Sequence, residues 1–389
     1  MKTGLMVLVL GYVLSQFYRA FLAVLAPDLA EDIGAGAQAL ALSSGLWFLS
    51  FALMQLPVGW ALDRFGPRRT AAWLLGAAGG GGALAFAAAQ GPFGVHLAMT
   101  LIGAGCAPVL MASYYIFARV YPPAVFATLA AAMIGFGTLG NLASALPLEL
   151  AAQAIGWRGA MVVLAVLTVA AAAALLLLVE DPPRAPDATP GEGSLLDLLR
   201  NPAILVILPM LAVNYAPAAG LRGLWLGPYF SQLHGGGVGL AGLVMGIAMV
   251  VGSFAYGPLD RIFGTRKWVV LGGNLAGALC LLVLWAAPVP GYWTAVGLLA
   301  AVGLFGMSFP MIMAHGRSFF PPHLVGRGVT LLNLFGIGGV GVLQLLSARV
   351  HSGAAAAPPE APFQALFAFF GLAVLAGCAV YAFSRDRTD

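Results

Sequence analysis

Apolar runs of about twenty residues follow one another along the whole chain, and this pattern limits its possible folds more than any other feature. About twenty apolar residues in a helix match the thickness of a bilayer's hydrocarbon core. Only 8% of the residues are charged and 61% are apolar, against about a quarter and about half in a soluble domain. So few charges cannot cover a water-facing surface. The pattern excludes an ordinary soluble enzyme, a disordered chain, a coiled coil and a disulfide scaffold. Cys106, Cys280 and Cys378 lie singly inside apolar runs, so neither a disulfide framework nor a metal spacing is present. The net charge of +4 is spread in small clusters between the runs, which does not suit nucleic acid.

Charges and Pro/Gly turns bound the runs and predict an all-α membrane protein of twelve spans: 4–26, 39–61, 71–89, 93–116, 127–150, 159–179, 202–228, 238–257, 268–288, 294–316, 327–348 and 362–383. A polar stretch, 180–200, divides them six and six. The expected organisation is an N-terminal bundle over 1–180, a linker over 181–201 and a C-terminal bundle over 202–389. Lys2 before an apolar run imitates a secretory leader. The run continues past Ala26 without a cleavage pattern, so it reads as a retained first span. Fourteen of the eighteen Lys and Arg residues then fall on one side, only Arg158 and Arg349 on the other, and Arg19 and Arg222 within spans. Positive residues stay inside, which places both termini in the cytoplasm of a bacterial-type inner membrane.

The two halves repeat. Gly59-Trp60-Ala61-Leu62-Asp63-Arg64-Phe65-Gly66-Pro67-Arg68-Arg69 follows span 2, and Gly257-Pro258-Leu259-Asp260-Arg261-Ile262-Phe263-Gly264-Thr265-Arg266-Lys267 follows span 8. Tyr121-Pro122-Pro123 after span 4 matches Phe320-Pro321-Pro322 after span 10. At that offset Gly137 meets Gly336 and Gly140 meets Gly339. The charged matches argue against mere composition bias.

With these motifs the chain resembles the major facilitator superfamily of transporters, whose signature between spans 2 and 3 is Gly-x-x-x-Asp-Arg-x-Gly followed by basic residues. Gly59, Asp63, Arg64, Gly66, Arg68 and Arg69 match it, with Pro67 replacing a usual basic residue. Asp260 and Arg261 carry the weaker second copy. The resemblance implies two pseudosymmetric six-helix bundles that move a small solute by alternating access. It also implies that the Asp-Arg turns act as a conformational latch. The plainer alternative is a positive-inside anchor.

An ionisable residue inside a span costs at least about 2.5–3.5 kcal/mol and marks a candidate site. Arg19 shares a helix face with Tyr12 and Gln16 in span 1. Arg222 follows Tyr215 by seven in span 7, with Asn214 alongside. Tyr12…Arg19 and Tyr215…Arg222 therefore repeat, and spans 1 and 7 are symmetry partners in the family. A guanidinium holds a carboxylate or oxyanion through two parallel hydrogen bonds, so these six residues are the candidate substrate site, for an organic or inorganic anion. The alternatives are arginines snorkelling to the interface or pairing with Asp28 or Glu31. Glu149, Asp28, His96 and His315 are the sparse candidates for proton coupling.

Met245 and Met249, and Met307 and Met311, each stand four apart. Thioethers suit Cu(I), so a copper importer of the same superfamily is one alternative; filling gaps in apolar helices is the simpler role. A non-transporting membrane sensor is another. No resident metal, cofactor or catalytic cluster is expected. The expectation is a monomeric secondary transporter or symporter whose partners are a small molecule, a coupling proton and the lipid bilayer.

Overall fold

The computed structural model describes residues 2–121, 123–182, 198–320, 325–354 and 358–387, and every regular element among them is helical. Bilayer lipid offers no hydrogen bonds, so a spanning backbone must satisfy its own N–H and C=O groups, as a helix does. Ten helices among the described residues are long and apolar enough to cross a membrane. The bent pair Thr3–Phe17 and Leu22–Ile33 makes an eleventh if counted as one span.

The chain divides into two compact units, Met1–Pro186 with Val238–Gly242, and Asp187–Gly237 with Leu243–Asp389. Most of the expected linker, 183–197, lies outside the described residues. The first unit contains α1 (Lys2–Phe17), α2 (Leu22–Ile33), α3 (Ala37–Leu53), α4 (Gln55–Phe65), α5 (Pro67–Trp73), a π turn (Leu74–Gly80), α6 (Gly81–Ala87), α7 (Pro92–Val120), α8 (Pro123–Ala143) and α9 (Leu146–Leu178). The later chain contains α10 (Pro202–Asn214), α11 (Ala216–Gly220), a second π turn (Leu221–Trp225), α12 (Leu226–Leu233), α13 (Val238–Phe263), α14 (Lys267–Ala286), α15 (Tyr292–Phe305), a 3₁₀ turn (Gly306–Ser308), α16 (Phe309–Arg317), α17 (Val325–Gly353) and α18 (Ala361–Tyr381). Proline in the first turn opens α5, α7 and α10, where its missing N–H costs no helical bond.

Span 5 differs from its predicted bounds. Its helix α8 stops at Ala143, and α9 begins at Leu146 and bends at Gly156, whose φ is 73°. Glu149 therefore lies in the first turn of α9 rather than at the end of span 5.

The repeated glycines have a packing role. A Cβ on Gly140 would strike the Val13 carbonyl, and one on Gly339 would strike Ala212. Small residues let helix backbones approach closely, so α8 lies directly on α1 and α17 directly on α10. The second unit closes around a core that includes Ile204, Ile207, Leu211, Ile312, Leu332 and Tyr381.

Candidate functional site

Span 1 breaks at its arginine. Helix α1 ends at Phe17, and residues 18–21 turn through short-range bonds, Arg19 N–H to the Gln16 carbonyl (3.4 Å) and Ala20 N–H to the Phe17 carbonyl (3.1 Å). Beyond them the axis bends by 50° into α2. The Arg19 guanidinium sits 4.9 Å from the Phe51 ring centre and 5.5 Å from that of Trp47. Those two rings are stacked, 5.2 Å apart. An aromatic face attracts a cation without neutralising it, so the positive charge is held in place and kept. One turn earlier, Gln16 Nε2 donates to the Tyr12 hydroxyl (2.8 Å). Three buried polar atoms beside this cluster, Arg19 Nε, Gln16 Oε1 and Trp47 Nε1, have no hydrogen-bond partner among the described residues.

Span 7 also breaks near its arginine. Pro217 lacks an N–H and its ring crowds the carbonyl four residues back, so α10 ends at Asn214 and the helix restarts as α11. The π turn that follows contains Arg222, which is only 4% exposed. Such turns recur at functional sites because the extra residue disturbs the regular ladder. The Tyr215 ring lies 6.2 Å from that of Phe309. Asn214 points into the unit: its Nδ2 donates to Asn274 Oδ1 and to Ser308 Oγ, both at 2.8 Å. Asn274 Nδ2 also donates to Ser308 (2.9 Å). This knot ties spans 7, 9 and 10 together at the 3₁₀ turn. The regular helical faces expected for Tyr12…Arg19 and Tyr215…Arg222 are thus corrected: α1 ends between Tyr12 and Arg19, and Tyr215 is itself the break residue of span 7, with Arg222 in the π turn beyond it.

The signature turns are built around carboxylates from beyond the last helix of each half. Asp181 accepts the Arg68 N–H at 2.8 Å, and its other oxygen lies 3.6 Å from Arg68 Nε. Gly66 makes this possible: its φ is 86° and ψ 159°, and a Cβ there would stand 2.8 Å from an Asp181 oxygen. In the second half Asp386 accepts from the Thr265 hydroxyl, from Lys267 N–H (3.0 Å) and from Arg266 N–H (3.2 Å). Each carboxylate caps the orphan amides at a helix N-terminus, where negative charge is favoured. Burial would raise the Asp386 carboxyl, but the bonds from Thr265, Lys267 and Arg266, helped by His315, hold it below the ordinary value of 3.8. His315 is fully buried, with Nε2 bonded to the Arg385 carbonyl (2.8 Å) and Nδ1 to the Tyr381 hydroxyl (2.6 Å). A carbonyl only accepts, so Nε2 carries the proton.

The sequence pattern of the Major Facilitator Superfamily matches residues 8–258, well over half of the chain. The protein belongs to this superfamily. No curated protein sequence is significantly similar to it. Solved structures share its fold: a D-xylose-proton symporter (TM-score 0.78, 17% identity, 98% of this chain and 97% of that one) and a mutant form of the nucleoside transporter NupG (0.74, 12%, 98% and 99%). A third is a bacterial homologue of the human lysosomal transporter Spinster, inward-facing and occupied (0.75, 17%, 98% and 96%).

In this member of the superfamily the expected latch residues are distributed as follows. Gly59 lies on α4 with open space beside it. The side chain of Asp63 lies outside the described residues. The Arg64 guanidinium lies 5.5 Å from the Trp60 ring. Arg69 lines an apolar groove with Trp60 and Trp73. Asp260 pairs with Arg266 inside its own turn, at 3.2 Å, and Arg261 is exposed. His96 bonds to Ser43 (2.7 Å). Met245 and Met249 are buried against Gly303, Met311 is in the apolar core and Met307 packs on it.

Several residues of these sites are absent from the sequence reading. Trp47 and Phe51 are separated from Arg19 by a loop and a helix, so no local spacing connects them. Asn274 and Gln344 are polar residues inside apolar runs, the same signal that singled out Arg19. The Gln344 side chain is 1% exposed and neither of its polar atoms has a partner among the described residues. Asp181 and Asp386 each follow the last span of a half, 205 positions apart, so the repeat itself carried that signal.

Proposed function

We propose that this transporter moves a small organic or inorganic anion by alternating access, as a secondary active carrier. On this reading α8 is the twelfth span, the protein works as a monomer in a bacterial-type inner membrane, and both termini are cytoplasmic. The observation that carries the proposal is the state of Arg19. Its guanidinium rests on two aromatic rings, pairs with no carboxylate among the described residues, and keeps an unpartnered Nε. Neither Asp28 nor Glu31 pairs with it. A second arginine, Arg222, lies in the π turn of span 7, seven residues after the helix break at Tyr215. Discontinuous helices recur at transporter substrate sites because their breaks free polar groups for a ligand. Tyr12 and Gln16 beside Arg19, and Tyr215 in span 7, are further candidates on this reading; the Asn214 amide donates both its hydrogens to Asn274 and Ser308 and has no donor left for an anion. Symport with a proton remains part of the reading, with the proton entering on the substrate or on a titratable side chain.

Uptake into proteoliposomes tests this, using a series of labelled carboxylates and oxyanions with sugars and nucleosides as controls. An anion is expected to be the substrate. Arg19→Gln and Arg222→Gln are each expected to lower uptake at least about tenfold, the scale of losing one charge-assisted bidentate contact. Unchanged kinetics in both variants would refute the anion site, and binding without uptake would identify a sensor.

A further inference from the structure

The second unit has a groove of about 570 Å³ where the start of α10 meets the segment after α18. Its lining includes Asn201, Phe319, Ser384, Arg385 and Arg387. Three features point to a phosphate. Arg385 and Arg387 place two cations on the groove, while the one carboxylate among its lining residues, Asp386, is already engaged by the α14 cap. The Ser384 hydroxyl is buried, the residue being 4% exposed, and has no partner among the described residues. The N-terminus of α10, a helix of 13 residues, adds a partial positive charge. The remaining lining is apolar: Pro202, Ala203, Val206, Phe319 and Phe383, the last 83% exposed.

The first unit has a counterpart with a different charge. A groove of about 200 Å³ lies at the same place in the repeat, between the start of α1 and the segment after α9. It is lined by Leu5, Ile116, Tyr121, Glu180, Asp181 and Pro182 among others. Aligning the capping aspartates puts Glu180 where Arg385 stands and Val179 where Ser384 stands. The basic pair and the buried hydroxyl belong to the second groove alone.

We propose that the second groove binds the phosphate of an acidic phospholipid headgroup, with an acyl chain along Phe383 and Val206. Basic pockets between spans on the cytoplasmic side suit such headgroups. The apolar lining favours a lipid over free phosphate. The proposal rests on the positive-inside orientation, not on the anion site.

Thermal unfolding of the detergent-purified full-length protein tests it, with added phosphatidylglycerol, phosphatidylcholine or inorganic phosphate. Phosphatidylglycerol is expected to raise the midpoint at concentrations where the other two do not. Arg385→Gln should weaken that response about fivefold, the contribution of one basic residue at a lipid surface. Ser384→Ala should weaken it further, whereas Glu180→Gln should leave it unchanged. The Arg385 side chain is exposed and only its carbonyl meets His315, so the variant keeps its fold contact. Equal responses to phosphatidylcholine, or an unchanged response in both Arg385→Gln and Ser384→Ala, would overturn the site. A full effect of inorganic phosphate alone would overturn its assignment to lipid.

Discussion

The signature turns of the two halves use the same cap with different surroundings. Asp181 takes one backbone N–H, that of Arg68, and has Arg68 Nε 3.6 Å away. Asp386 takes two backbone N–H groups and a hydroxyl, while His315 fixes the preceding residue. The neighbour of the first cap is the anion Glu180; the second cap is flanked by Arg385 and Arg387. The carboxylate persists in both because orphan amides at a helix start need an acceptor wherever they occur. The flanking charged residues are exposed and carry no such obligation. A repeat therefore preserves what the backbone requires and lets the exposed side chains diverge.

The largest difference between the two turns is expected at their glycines. Gly66 occupies a backbone region open almost only to glycine and touches Asp181, whereas Gly264 has φ 63° and open space. Gly66→Ala is expected to cost about 3 kcal/mol and Gly264→Ala about 1 kcal/mol, from backbone strain and, for the former, the clash. Thermal unfolding in detergent measures both. Equal costs would mean that neither the special backbone region of Gly66 nor its contact with Asp181 adds to the cost.

A smaller effect is expected from the caps themselves. Asp386→Ala should cost about 2 kcal/mol and Asp181→Ala about 1 kcal/mol, in proportion to the bonds each makes. The reverse order in unfolding midpoints would show that hydrogen-bond number does not set the strength of these caps. The smallest expected effect is a pH dependence. Because the Asp386 carboxyl is held below 3.8 when folded, its contribution is complete above that ordinary value and is lost as pH falls through the folded value. The midpoint difference between the protein and Asp386→Asn should therefore be constant from about pH 7 to pH 5 and shrink below about pH 4. A difference that already shrinks between those upper limits would assign the titration to another group.

Much of this molecule is legible in its amino-acid order. Hydrophobic length gave the helices because lipid leaves the backbone no alternative. The offset between the two Asp-Arg motifs was readable as a repeat because both turns carry the same residue types in the same order. The glycine pairs at 137 and 140, and at 336 and 339, were visible as repeats, and a reason for Gly140 and Gly339 is visible in Val13 and Ala212. The helix breaks were harder to read. Pro217 signals one of them, but nothing in the sequence around Arg19 interrupts a helical pattern.

The amino-acid order by itself determined the solvent, the helical class, the superfamily and the two arginines within spans, since each follows from residue type and near-neighbour spacing. Only the tertiary structure decided which groups those residues meet. It seated Arg19 on Trp47 and Phe51, drew Asn214 into a knot with Asn274 and Ser308, and brought Asp181 and Asp386 back over turns more than a hundred residues earlier. Those partners depend on the folded path of the chain, and a one-dimensional pattern holds no record of distance between residues far apart along it.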